Sequence, residues 1–333
     1  MTSTNLKPLT ALDIVISIHN QEKLIPRVLA GILNNTTTPF NLILVFDGCT
    51  DASQRISEQF LKDTKAALLK NLIITTAENV YELRANNIGF RLAQEEYLIT
   101  LQDDVVIEEK GWERRFTYPL RAFDDIFAVS SRTALNVEQG DSEGTPRYSD
   151  YAAREFLSLP RNTFAIRNMI NRGPIAFRTD ILKKIGYLDE LFAPGQFDDA
   201  DVVLRAKMLH GMKSGAFWIN YRSDISWGKT RTAPGVMSAH STIQRNARLF
   251  FLRHNDFLTR TGRVVEKRII REKDIDYITR DPFLKRNYIR LQAAKRFFFW
   301  YLSRRFVRTQ ARAERVVRLL FKNFRAIFLN PLQ

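Results

Sequence analysis

Two adjacent carboxylates, Asp103 and Asp104, follow the apolar run Tyr97-Leu98-Ile99-Thr100-Leu101. Such a run reads as a buried strand, which puts the acidic pair at its tip. Charges there are costly unless something positive lies against them. A hard divalent cation that also binds a diphosphate, Mn²⁺ or Mg²⁺, suits these oxygen donors. A second acidic cluster, Asp198-Asp199-Ala200-Asp201, opens a helical pattern. Asp198 and Asp201, spaced i and i+3, are suited to capping and to the helix dipole, whereas Asp199 projects differently and is available as a base. Asp47 precedes a glycine turn in Asp47-Gly48-Cys49-Thr50-Asp51, where its carboxylate can accept a hydrogen bond from a base or sugar. Arg84, Asn86 and Gly89 open another helix, where cationic and amide groups can meet a ligand. Each feature also has a plain structural explanation: a solvated turn, a helix cap or a helix start.

The elements that must position these residues alternate. Leu12 to Ile18, Leu42 to Phe46, Leu72 to Thr75 and Tyr97 to Leu101 read as strands. Helical patterns separate them at Glu22 to Leu33, Asp51 or Ser53 to Leu61, and Leu83 to Gln94. This order predicts an α/β, Rossmann-like, mostly parallel sheet with helices on both faces. Ligands bind at the carboxyl ends of such strands, which gathers four loops: Ser17 to Gln21, Asp47 to Asp51, Thr76 to Arg84, and Gln102 to Val105. Ile126 to Ser130 is a further strand. Residues 136–162, with Gly140, Gly144, Pro146 and Pro160, read as a long loop region that shapes a substrate pocket. A strand at Gly173 to Phe177, a short helix to Ile185, a helix from Asp198 to His210 and a strand at Ala216 to Ile219 follow.

Charge divides the chain of 333 residues and net charge +15. Residues 245–333 carry 23 Lys+Arg against 7 Asp+Glu, leaving 28 against 29 for the first 244. A near-neutral, enzyme-sized part therefore precedes a basic module suited to an anionic partner. From about Ser241 the pattern is helical. Val317, Phe321, Phe324 and Phe328 share one face of the last helix, and Arg315, Arg318, Lys322 and Arg325 another. The segment could cover the near-neutral part or dock on anionic lipid; no recognised nucleic-acid motif is present. The single cysteine, Cys49, excludes an internal disulfide. No signal-peptide layout and no apolar run of about 18 residues is seen, so a cytoplasmic protein, peripheral on the inner face of the plasma membrane, is expected.

Together these residues resemble the GT-A glycosyltransferases of family 2 over roughly residues 11–228, with a fainter likeness to about Asn255. Ile14 to Asn20 is similar to the family's first strand and nucleotide-binding turn, with Ser17 and His19 at its usual polar positions. Val45 to Asp51 resembles the Asp-Asp-Gly-Ser-Thr-Asp segment, which implies that Asp47 contacts the nucleotide base. Arg84 to Gly89 resembles Ala-Arg-Asn-x-Gly, which implies Arg84 as a nucleotide-sugar contact beside Ser17, His19, Asp47 and Asp103. Leu101 to Val105 resembles the DxD-type motif with Gln102 at its first position, implying Asp104 as metal ligand and Asp103 as its neighbour at metal or ribose. Gly186-Tyr187-Leu188-Asp189-Glu190 and Phe197 to Arg205 resemble acceptor-side motifs, and the second implies Asp199 as catalytic base. The family's Trp-His is here Trp227-Gly228, with His240 a possible substitute, and the Gln-x-x-Arg-Trp motif of processive synthases is absent.

The resemblance implies a catalytic domain over 1–240, divided into a nucleotide-binding part (11–130) and an acceptor part (131–240), before a basic, aromatic-rich amphipathic region at 241–333. It implies inverting transfer of a sugar from a nucleotide-diphosphate donor to a glycan or lipid-linked acceptor in cell-surface polysaccharide or glycolipid synthesis. The rivals are a sugar-nucleotidyltransferase, which needs a Gly-rich phosphate loop where this chain has His19-Asn20-Gln21-Glu22, and a nucleic-acid-binding protein built on the basic tail.

Overall fold

The computed structural model describes residues 6–223 and 239–271. Apart from 155–157 these fall in one compact unit; a second unit, 155–157 with 281–333, lies almost wholly outside the described residues. The elements run β1 (Leu12–Ile18), α1 (Ile25–Asn35), β2 (Phe40–Asp47), α2 (Ser53–Asp63), β3 (Leu69–Ala77), α3 (Tyr81–Leu92), β4 (Tyr97–Gln102), β5 (Val106–Ile107), α4 (Trp112–Ala122) and β6 (Ile126–Ser130). There follow β7 (Thr133–Gln139), β8 (Pro146–Ala153), β9 (Thr163–Arg167), β10 (Met169–Asn171), β11 (Ile175–Arg178), α5 (Thr179–Lys184), a 3₁₀ turn at Glu190–Phe192, α6 (Asp198–His210), β12 (Lys213–Ala216), β13 (Tyr221–Arg222), α7 (Ala239–Thr261) and β14 (Glu266–Ile269).

Nine strands form the central sheet in the order β14-β9-β12-β6-β11-β4-β1-β2-β3. The half β4-β1-β2-β3 is parallel, as the alternating pattern predicts. β11 enters antiparallel between β4 and β6, and β9 and β14 add antiparallel pairs beyond β12. β1 and β2 are buried along their whole length, so both are continuous apolar runs with helices on each side. One core holds Val15, Val45, Leu83, Phe90, Phe177 and Phe250, placing α3 and α7 on that face; the other holds Ile14, Ile16, Leu29, Ile32, Trp112 and Phe116, from α1 and α4. Buried Asp13 at the start of β1 takes bonds from Asn41 Nδ2 (2.8 Å) and from the Gln94 and Glu95 N–H groups (2.7 and 2.6 Å), tying the neighbouring strand and the turn into β4 together.

Two segments differ from the sequence reading. Residues 136–162 are not one long loop: β7 and β8 form an antiparallel hairpin whose third strand is β10. Their polar composition and glycines argue locally against strands, and pairing with β10 overrides that preference. The segment from Ser241 is not helical throughout, since β14 pairs with β9 at the sheet edge. α7 and β14 thus belong to the same compact unit as the first 223 residues.

Helix α3 lies very close to the sheet at Gly89, where a Cβ would sit 2.4 Å from Val15 Cγ1 and 3.3 Å from Val45 Cγ2. Gly89→Ala should destabilise the protein by about 1–3 kcal/mol through overpacking, less the roughly 1 kcal/mol alanine returns in helix propensity. Urea unfolding measures this, and a midpoint equal to or above that of the parent would show that α3 can move off the sheet freely.

Candidate active site

The four loops at the carboxyl ends of β1 to β4 are stitched together by hydrogen bonds. The His19 N–H donates to Asp103 Oδ2 at 2.9 Å, and the Gln21 side chain also bonds this carboxylate. His19 Nδ1 lies 2.6 Å from the Asp47 carbonyl, which can only accept, so the proton sits on Nδ1. Asn20, left-handed at φ 53°, accepts from the Thr50 N–H at 2.8 Å and the Asp51 N–H at 3.3 Å. Buried Asp47 accepts the Val80 N–H at 2.6 Å, and the Gly48 N–H donates to the Ala77 carbonyl at 2.8 Å. Gly48 has φ +56°, and a Cβ there would strike Asn79 at 2.6 Å, so glycine is required at this turn. Ser17, buried at the end of β1, stands in register with Val45 on β2 and Gln102 on β4.

The base candidate joins this cluster through Arg172. The Arg172 N–H donates to Asp199 Oδ2 at 2.7 Å. Its guanidinium reaches Glu82 at 3.1 Å and forms an ion pair with Asp198. Glu82 in turn accepts from Gln102 Nε2 at 3.2 Å, and its charge acts on Asp103. A chain of contacts therefore runs from Gln102, the residue before Asp103, through Glu82 and Arg172 to Asp199. Burial holds the Asp199 carboxyl above its ordinary value, with Arg172 and backbone N–H donors opposing that. Arg84 does not join the chain: it is half-exposed and pairs with Glu190 at 3.5 Å, on the acceptor-side turn that also receives Asn87 and Arg91.

Capping by Asp198 or Asp201 is not seen. α6 starts after Phe197, itself left-handed at φ 67°, without a side-chain cap bond. Asp198 is taken up by Arg172. Asp201 receives Arg205 Nε at 2.6 Å and His254 Nε2 at 2.8 Å. The second of these bonds comes from α7, which also braces the loop that leads into α6. Fully buried Asn246 directs its amide at the carbonyls of Phe192 (2.7 Å), Gly195 (2.6 Å) and Gln196 (3.0 Å), and Phe250 packs on Phe197 with ring centroids 5.1 Å apart. Left-handed Gln196 and Phe197 are strained conformations for non-glycine residues, of the kind that persists only when the surroundings over-determine them.

The family model described as glycosyl transferase family 2 matches residues 13–186, more than half of the chain. The chain belongs to glycosyl transferase family 2. A stretch of 94 residues is 33% identical to the teichoic acid poly(glycerol phosphate) polymerase of Staphylococcus epidermidis, covering 28% of this chain and 12% of that protein. Among solved structures, S. aureus TarS superposes with a TM-score of 0.44 and 16% identity over 75% of this chain and 44% of its own. The mannosyltransferase PcManGT from Pyrobaculum calidifontis, in complex with GDP-Man and Mn²⁺, gives 0.47 and 13% identity over 96% and 80%. The chain thus spans less than half the length of the polymerase and of TarS. Its mixed α/β sheet is of the GT-A type that the motifs imply.

The residues of this family 2 chain fit a divalent cation at Asp103 and Asp104. Both offer hard oxygen donors. Burial pushes Asp103 up to about 8, and the adjacent Asp104 and Glu82 carboxylates add to the shift: negative charge is crowded there beyond what His19 and Gln21 offset. Among the described residues no group of three or more acidic, histidine or cysteine side chains is assembled for a metal, so diphosphate and water oxygens would complete the shell. Trp227-Gly228 lies outside the described residues, as does the His240 side chain.

Sequence reasoning missed Glu82, Arg172 and Asn246. A lone arginine between Asn171 and Gly173 carries no local signal, because its partners stand 90 positions before it and 26 and 27 after it.

The Asp103 shift has a definite sign. A carboxyl whose ordinary value is 3.8 and whose folded value is about 8 favours folding at low pH, and that contribution is lost as pH rises toward 8. Metal-free protein should lose thermal stability between pH 5 and pH 9, more steeply than Asp103→Asn protein, in melts on the order of one pH unit apart. Parallel curves for the two would show that Asp103 is not held protonated.

Proposed function

We propose that this chain is a metal-dependent, inverting glycosyltransferase that moves a sugar from a nucleotide-diphosphate donor to a glycan or lipid-linked acceptor in cell-surface polysaccharide or glycolipid synthesis. The observation that carries it is the chain of contacts Gln102–Glu82–Arg172–Asp199, which joins the loop bearing Asp103 and Asp104 to a carboxylate suited to proton removal. The resemblance of part of the chain to a teichoic acid poly(glycerol phosphate) polymerase supports the cell-surface setting.

In this reading Ser17, His19, Asp47 and Asp103 form the walls that receive the nucleotide, and Arg84 borders the acceptor side. Asp199 accepts the proton of the acceptor hydroxyl as that oxygen bonds to the anomeric carbon, while the bond to the diphosphate breaks and its electron pair leaves with the diphosphate. Attack opposite the leaving group inverts the centre. A raised carboxyl is better matched to a neutral medium than one at its ordinary value, and proton transfer of this kind contributes about 10²–10⁴-fold in rate. Arg172 stabilises the ionised base and aims it, anchored in turn by Glu82 and Asp198. Mn²⁺ or Mg²⁺ held by Asp103 and Asp104 would supply charge neutralisation for the departing diphosphate.

The basic segment beyond 271 lies outside the described residues, and its contact with an anionic membrane surface belongs to the same reading. No helix among the described residues is long and apolar enough to cross a membrane.

Asp199→Asn should reduce transfer by at least about 10²-fold while donor affinity, read by calorimetry, stays near that of the parent. Undiminished turnover would remove Asp199 from the base role. Replacing Arg315, Arg318, Lys322 and Arg325 together by Glu should abolish co-sedimentation of the full chain with phosphatidylglycerol vesicles, each charge contributing about 1 kcal/mol near the surface. Sedimentation equal to that of the parent would count against a membrane-binding tail.

A further inference from the structure

The hairpin β7–β8 has no part in donor binding or proton transfer as described, yet it carries a built irregularity. Ala134 pairs with Ala152 and Asn136 with Ser149, so one residue of β7, Leu135, faces two of β8, Asp150 and Tyr151. This is a β-bulge, and Asp150 within it is left-handed at φ 50°. The bulge is held from behind. Buried Asn136 donates to Asp150 Oδ2 at 3.0 Å, and Arg167 Nε donates to the Asp150 carbonyl at 2.8 Å.

The bulge changes which way two aromatic rings point. In an unbroken strand, residues 148 and 151 would lie on opposite faces. The extra residue cancels that, because Asp150 turns to the Asn136 side and Tyr151 falls on the face of Tyr148, whose register partner is Val137. Both residues are partly exposed, Tyr148 at 37% and Tyr151 at 40%. The same three-stranded sheet contains β10, whose next residue, Arg172, donates its N–H to Asp199. Burial raises the Tyr148 phenol, and the charges of Asp199 and Tyr151 add to that.

We infer that Tyr148 and Tyr151 form a stacking platform for a pyranose ring of the acceptor, beside Asp199. The inference rests on Asp199 being the base of the proposed transfer. A pyranose has a flat face of C–H groups that buries well against aromatic rings, while its rim of hydroxyls can bond the phenol oxygens. A linear polyol offers no such face. The platform serves the acceptor because the base must lie within hydrogen-bond reach of the acceptor hydroxyl, whereas the donor loops cluster at the ends of β1 to β4.

Saturation-transfer NMR on the full chain tests this without turnover, using methyl β-glucoside and N-acetylglucosamine as probes and ribitol as the polyol control. Saturation should reach the pyranose C–H protons, and ribitol should not compete. Tyr148→Ala and Tyr151→Ala should weaken pyranose binding about tenfold each, since loss of a ring removes on the order of a tenfold affinity. Tyr148→Phe and Tyr151→Phe should stay within about twofold, because the stacking face survives. Alanine variants that bind as the parent does, equal competition by ribitol, or no pyranose binding by the parent would each overturn the platform. Binding of UDP with Mn²⁺, read by thermal shift on the same five proteins, separates the two readings. Pyranose binding as expected with no nucleotide binding by the parent would sink the transferase and the acceptor role with it, leaving only a pyranose-binding face, whereas nucleotide binding without pyranose binding would sink the platform alone.

Discussion

Negative charge crowded at the carboxyl edge of the parallel strands is the constraint on which the site depends. Asp103, Asp104, Glu82, Asp198 and Asp199 come from three elements, and apposed carboxylates raise one another's proton affinity. Among the described residues the guanidinium of Arg172 answers that charge, touching Glu82 and Asp198, while its backbone N–H reaches Asp199. That arrangement covers the Asp199 side and leaves the Asp103 side over-acidic. A site balanced in that way is suited to a ligand bringing positive charge with it, such as a cation bound to a diphosphate. Removing the partner of a buried charge is far more damaging than removing the pair, so Arg172 is as much a requirement of the fold as of the site.

Helix α3 carries both halves of this arrangement. Its first turn supplies Glu82, and its middle, at Gly89, presses against β1 and β2 closely enough that a methyl group has no room. The helix is thereby held at a fixed height over the sheet, and Glu82 with it. α7 has the equivalent role for α6. Asn246, Phe250 and His254 grip the 192–197 loop and Asp201, so the orientation of Asp199 is set by residues outside the 13–186 span of the family match. The first part of the basic tail is thus structural support for the site, and its arginines follow that role: Arg253 pairs with Asp189, and Arg245 bonds the carbonyl of Ala193.

How much was legible in advance follows from the range of the interactions. β1 to β4, their helices and the meeting of their loops follow from apolar periodicity and from the right-handed rule for parallel crossovers, both local in origin. The hairpin β7–β8 was hidden because its strands are stabilised by partners more than by their own residues. The capping role expected of Asp198 and Asp201 failed for a related reason. Their spacing suits a cap, but a cap is worth only about 1 kcal/mol, and pairing with a guanidinium or a buried imidazole outweighs it.

The sequence by itself determined that this protein has a doubly covered parallel half-sheet with carboxylates at its strand ends, because burial on two faces and acidic strand tips are written in neighbouring residues. It also determined the family, through the order of short motifs. Only the tertiary structure decided that Gln102, beside Asp103, and Asp199 share one polar network, that α7 and β14 complete the compact unit, and that Tyr148 and Tyr151 face the same way. Those outcomes depend on contacts between residues far apart in the chain and on a one-residue bulge that reverses a strand's alternation, and no local pattern encodes either.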